Sequence, residues 1–185
     1  VKELGLKLVV SIDTHIHADH ITATGLLQQK TACKIAMGEQ TKAEFVTERL
    51  KDGDLLKLGE LELKALYTPG HTDDSYSFLS GNKVFTGDTL LIRGTGRTDF
   101  QNGSAHDQYD SLFNKLLKLP EETFVYPAHD YKGWTRSTIG EEKKYNPRLQ
   151  VKSENEYITL MENLNLPNPK LIDIAVPANL KCGLS

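Results

Sequence analysis

Apolar positions along the chain fall into short runs of two different periods. From about Lys7 to Ile12 they are nearly contiguous and rich in β-branched residues, which predicts a buried core strand entered from a helix end in "VKELG". A helix is predicted from about Ile21 to Gln29. "LELKALYT" predicts another strand, closed by the Pro69-Gly70 turn. "SYSFLS" and "KVFTG" flank Gly81-Asn82 and predict a hairpin. Ser104 then opens an amphipathic helix, with Asp107 as a short capping box. Tyr109, Leu112, Phe113, Leu116 and Leu117 form its apolar stripe, and Pro120 stops it. "TFVYPA" is a further short strand. Ser153 and Glu156 make a second capping box, before a helix with Ile158, Met161 and Leu164 on one face. No repeat, low-complexity tract or linker interrupts this order. Strands mixed with helices predict one layered α/β domain over residues 1–185.

Composition narrows the function classes. A chain of 185 residues with 38% hydrophobic and 25% charged positions can bury one sizeable core. Net charge is −3 and no basic tract occurs, which argues against nucleic acid as the main partner. No apolar run is long enough to span a bilayer, and no signal-peptide pattern opens the chain. Cys33 and Cys182 lie far apart and form no Cys-x-x-Cys pair. Neither a disulfide framework nor a thiolate metal site is expected, and a reducing compartment fits. Cys182 has no histidine near it in sequence and is expected to be buried packing. The first residue is Val1, so a natural start upstream is expected.

The histidines carry the chemistry. His15, His17 and His20 sit in "DTHIHADH" with Asp19 between them. His71 follows Pro69-Gly70, His129 follows "YPA", and Asp88 closes "FTGD". Each group follows an apolar strand and begins a loop, where a rigid scaffold can bring distant polar groups together. Imidazole and carboxylate together suit zinc, iron or manganese. Only His106 stands apart, and it is expected to be an ordinary surface side chain.

His-x-His-x-Asp-His, then Gly-His-Thr, then Gly-Asp, then a last histidine resembles the metallo-β-lactamase superfamily, with four separated pieces in order. The resemblance implies an αβ/βα sandwich with a metal site at one edge between two sheets. Family members open with further strands before the first histidine motif, so this chain is expected to be N-terminally shortened.

Two branches of the family share these motifs. In glyoxalase II-like thioester hydrolases the resemblance implies two metals: one on His15, His17 and His71, the other on Asp19, His20 and His129, with Asp88 bridging. In persulfide dioxygenases it implies a single Fe(2+) on His15, His71 and Asp88. Two histidines and one carboxylate form the facial triad of non-haem Fe(II) oxygenases. His17, Asp19, His20 and His129 would then be retained around the iron or as a second site. "LLIRGTGRTDFQNG", "YPAHDYKG", "STIGEE", "NPRL" and "NLNLPNPKLIDIAVPAN" resemble the persulfide dioxygenases, from about Leu4 to Gly183. Some relatives carry cysteine where Thr95 stands, so no role for that cysteine carries over.

That resemblance implies oxidation of glutathione persulfide with O2 and water to glutathione and sulfite. Arg97 and Arg93 are candidate clamps for glutathione carboxylates, because guanidinium pairs with carboxylate in a bidentate way. His129 and Tyr131 are candidate catalytic groups beside the metal, with Asp130 orienting a neighbouring loop or histidine. A Zn(2+) hydrolase and a non-catalytic metal-binding protein are the alternatives. A cytoplasmic location is expected for a bacterial-like chain, the mitochondrial matrix for a eukaryotic one. The resemblance leaves room for a homodimer and for a rhodanese-like partner.

Overall fold

The computed structural model describes residues 1–184. A three-stranded parallel sheet runs in the order β1 (Val10–Ile12), β2 (Lys34–Gly38), β3 (Glu48–Leu50). Helix α1 (Thr24–Thr31) makes the crossover from β1 to β2 that a parallel pair requires. The alternation of β2 places Ile35 and Met37 in a cluster with Ile16, Ala43 and Cys182, and Ala36 in a cluster with Ala65, Tyr76 and Phe78. Buried on both faces, the strand reads as an unbroken apolar run.

The second sheet has six strands in sequence order: β4 (Leu55–Leu58), β5 (Leu61–Tyr67), β6 (Tyr76–Ser80), β7 (Lys83–Gly87), β8 (Phe124–Pro127) and β9 (Ser137–Thr138). All its pairs are antiparallel except β7 with β8. That one parallel pair is bridged by α2 (Ala105–Asp110), which continues through a π-helical turn (Ser111–Lys115) and a 3-10 turn (Leu116–Lys118). Leu112, Leu116 and Leu117 of this segment pack on Val84 and Val125, together with Tyr157 and Met161 of α4 (Glu154–Glu162). On the far side Val176 of α5 (Ile172–Asn179) covers Ile35 and Met37. The layers therefore run helices, six-stranded sheet, three-stranded sheet, helices. This is the expected αβ/βα sandwich. The two sheets meet closely at Gly38, where a Cβ would lie 2.1 Å from the Tyr76 ring.

The hairpin forms as expected, and Ser104 and Ser153 cap their helices by accepting from the backbone N–H of Asp107 and Glu156. Three expectations need correction. The first strand is three residues long and only half-buried. Among the described residues its one paired neighbour is β2, so one flank is open. The first helix begins at Thr24 rather than Ile21, because the Thr22 N–H donates to Asn179 Oδ1 and the Thr22 hydroxyl to Asp13 Oδ1. The helix after Ser104 keeps its apolar stripe but widens to π geometry at Ser111, whose hydroxyl donates to the Pro69 carbonyl. Both cysteines are free and buried. No helix among the described residues is long and apolar enough to cross a membrane.

Candidate metal centre

Four loops, each directly after a strand, meet at one edge of the two sheets. His15, His17, Asp19 and His20 follow β1, His71 follows β5, Asp88 follows β7 and His129 follows β8. One ligand atom from each of His15, His71 and Asp88 lies within 4.8 Å of the other two, and His17, Asp19 and His20 form a second such group. Asp88 Oδ2 sits 3.6 Å from His71 Nε2 and 3.5 Å from His129 Nε2. His129 Nε2 is also 3.4 Å from Asp19 Oδ2, so it joins the two groups.

The electrostatics suit a cation. Burial, and then the neighbouring His71 and His17, hold the His15 imidazole well below its ordinary pKa. Burial and His20 push His17 down to about 4. Both are therefore neutral at pH 7, the ligand form of histidine. Burial alone would raise Asp19, but the hydrogen bond from His20 and the charge of His129 keep it ionised. Asp88 Oδ1 and His17 Nδ1 are buried and have no hydrogen-bond partner among the described residues. A buried carboxylate oxygen left without a partner is costly, and a divalent cation among these donors would satisfy it. The residues fit a transition metal.

A short strap, residues 94–97, sets the ligand orientations. The Arg97 carbonyl accepts from His71 Nδ1 at 2.8 Å, which leaves Nε2 facing Asp88. The Gly96 N–H donates to the Asp88 carbonyl at 2.7 Å. A Cβ on Gly96 would lie 2.2 Å from that carbonyl oxygen and 2.7 Å from His71 Nδ1, so the strap passes this close only because residue 96 is glycine. Three further residues hold the histidine loop. Asp74 accepts from the Ile16 N–H, Gln101 donates to the Ile16 carbonyl, and Asn179 donates to the carbonyls of His17 and His20. None of the three was singled out from the sequence. Asp74 lies in the same segment as His71 and was within reach of a local search. Asn179 is 159 residues from His20 and carries no local signal.

A cavity of about 560 Å³ opens over the centre, with His71, Asp88 and His129 in its wall. Tyr131 stacks parallel to the His129 ring at 5.9 Å and is 82% exposed. Asp130 orients a loop, not a histidine: its carboxylate accepts from the backbone N–H groups of Lys132 and Trp134. Arg93 and Arg97 both line the cavity, but their charges are already matched. Arg97 makes a bidentate pair with Asp99, through Nε at 2.6 Å and Nη2 at 2.7 Å, and Nη1 donates to the Pro167 carbonyl. Arg93 pairs with the fully buried Glu142 and stands over the rings of Trp134 and Tyr145. His106 is exposed and pairs with Glu154, away from the site.

The family model of the metallo-β-lactamase superfamily matches residues 12–129. The mitochondrial persulfide dioxygenase ETHE1 of Mus musculus is 46% identical over 187 residues, covering 100% of this chain and 73% of its own length. The crystal structure of ETHE1 from Myxococcus xanthus superposes with a TM-score of 0.96 at 55% identity, over 99% of this chain and 81% of that one. The hydroxyacylglutathione hydrolase GloC of Haemophilus influenzae is 33% identical, over 83% of this chain and 81% of its own length.

Proposed function

The chain belongs to the metallo-β-lactamase superfamily, and we propose that it is a persulfide dioxygenase, with one Fe(2+) bound by His15, His71 and Asp88. The observation that carries this is likeness to persulfide dioxygenases along the entire chain. It is 46% identical to the mouse enzyme, against 33% over a shorter span for the thioester hydrolase. The convergence of two imidazoles and one carboxylate supports it from the geometry. Glutathione persulfide, O2 and water would give glutathione and sulfite. The terminal sulfur loses four electrons to O2, and one proton of the water ends on the glutathione thiol. Iron(II) at this centre would supply the one-electron steps that O2 chemistry needs.

The protein's own groups define the rest. His71 is held with Nδ1 to the Arg97 carbonyl, so Nε2 would be the atom left to hold the metal. His129, bridging Asp19 and Asp88, would steady the centre and exchange protons with water at its Nε2. Tyr131 lies parallel to the His129 ring and is largely exposed, so its hydroxyl would be available to a bound thiol. Arg97 and Arg93, the candidate clamps, line the cavity with a carboxylate partner already in place, Asp99 and Glu142.

The second group, His17, Asp19 and His20, favours one alternative, a dinuclear Zn(2+) thioester hydrolase. An oxygen electrode separates the two. The dioxygenase consumes O2 on addition of glutathione persulfide and releases one sulfite per O2. Hydrolysis of S-lactoylglutathione without O2 uptake would reverse the assignment.

A further inference from the structure

Helix α2 supports two parts of the metal centre at once. At its start it holds the turn from which His71 springs: the Ser104 N–H donates to the Gly70 carbonyl, and a Cβ on Gly70 would lie 2.3 Å from Gln108 Cα. From the same turn of helix the Gln108 side chain holds the strap, with Nε2 donating to the Gly96 carbonyl at 3.2 Å. Gln108 is fully buried, one turn before Leu112, where an apolar side chain would be ordinary. Its Oε1 accepts from the hydroxyl of Tyr157 of α4, also fully buried, at 2.7 Å.

The direction of this chain is fixed. A carbonyl only accepts, so Nε2 must face Gly96, Oε1 must face Tyr157, and the Tyr157 hydroxyl is the donor. Burial pushes that hydroxyl well above the usual phenol range, which keeps it protonated. Desolvating such a pair costs free energy that an apolar pair would not, and what the pair supplies is a fixed position. The carbonyls of Thr95, Gly96 and Arg97 accept in turn from Arg148, Gln108 and His71. Gln108 thus touches the backbone turn just before His71 and also the peptide next to the carbonyl that orients the His71 ring.

We infer that Gln108, oriented by Tyr157, is a positioning residue for the metal and sets the angle at which His71 Nε2 meets the ion. The inference rests on His71 as a metal ligand, a role that the single-iron and the dinuclear readings share, and not on the reaction that follows.

Cobalt(II) is the probe. Its absorption bands report ligand geometry, and its affinity is measured by competition with a chelator; neither readout needs turnover. Gln108→Leu, Tyr157→Phe and the double variant are compared with wild type, and urea unfolding of each gives the stability. Gln108→Leu leaves the Gly96 carbonyl and the Tyr157 hydroxyl buried without this partner, so stability should fall. Cobalt should bind about 10-fold more weakly with shifted bands, as expected when the support of a ligand is removed. Tyr157→Phe should act in the same direction by less, since Gly96 still holds Nε2. The double variant no longer buries an unmatched hydroxyl and should regain stability relative to Gln108→Leu, while cobalt affinity and bands stay as in that variant. A purely structural role would instead move stability and affinity together.

Unchanged affinity and bands in Gln108→Leu, or their recovery along with stability in the double variant, would overturn the inference. Should Gln108→Leu fail to fold, the folded double variant decides: weaker binding with shifted bands supports the inference, and wild-type values overturn it. A wild type that takes up no cobalt would overturn the inference and the metal centre together, whereas cobalt binding that is the same in wild type and variants overturns the inference alone.

Discussion

Replacing Asn179 by alanine isolates the contribution of α5 to the histidine loop. The side chain is 2% exposed and makes three hydrogen bonds: Nδ2 to the carbonyls of His17 and His20, both 2.8 Å, and Oδ1 from the Thr22 N–H at 2.9 Å. Alanine removes all three. His20 is exposed, so water can replace the bond to its carbonyl. His17 and Thr22 are buried, and an unsatisfied buried backbone group costs about 1–3 kcal/mol. Two such groups give about 2–6 kcal/mol, and local relaxation pulls the sum toward the lower half. A loss of about 3 kcal/mol is expected from urea unfolding with an unchanged slope. Asn179→Asp keeps the acceptor but turns both donors into acceptors facing carbonyls, so it should cost at least as much. A loss below about 0.5 kcal/mol would place Asn179 with ordinary surface substitutions and refute this account of how the loop is held.

Gly96→Ala should give a folded protein with iron content reduced at least 10-fold, because the added methyl group displaces the strap from both Asp88 and His71; elemental analysis beside circular dichroism checks this, and full iron retention contradicts it. The His106 pKa is raised, first by the hydrogen bond that its ring N–H donates to Glu154 and then by the Glu154 charge. A proton titration followed by NMR should therefore place its midpoint above 6.5, and Glu154→Gln should bring it back. Because the folded pKa is raised, the pair's small contribution to stability is full below the unfolded pKa near 6.5 and is lost as pH rises through the folded value. A midpoint unaffected by Glu154→Gln would remove the pair.

The layered fold and the metal centre were legible from local signals. Strand-end histidines marked the edge of the sheets because a β-strand delivers its next residues to one place whatever the sequence distance between loops. Gly81-Asn82, Ser104 and Ser153 fixed the hairpin and two helix starts through chemistry within four residues. Charge balance was not legible in the same way. Arg97 reads as a candidate clamp, and nothing in the sequence tells that its side chain and that of Asp99, two residues away, fold onto each other. Arg93 meets Glu142 from 49 residues away. Arg148, within "NPRL", meets the Thr95 carbonyl from 53 residues away. The π-helical turn at Ser111 and the late start of α1 were equally hidden, since each depends on a long-range bond, to Pro69 or to Asn179. The pieces that were missed are those whose meaning is set by partners distant in sequence or by the folded charge balance.

The central claim is a single-iron centre on His15, His71 and Asp88 within a motif able to hold two metals. Iron bound per chain, measured in wild type and in the His71→Ala, Asp88→Ala, His20→Ala and His129→Ala variants, tests it most directly. The account predicts close to one iron in wild type and none in His71→Ala or Asp88→Ala. The His20→Ala and His129→Ala variants should stay near one, with turnover lowered about 10- to 100-fold as expected of residues that orient ligands. Two tightly held ions in wild type, or metal lost from the His20 and His129 variants as fully as from His71→Ala, would contradict it and establish a dinuclear centre.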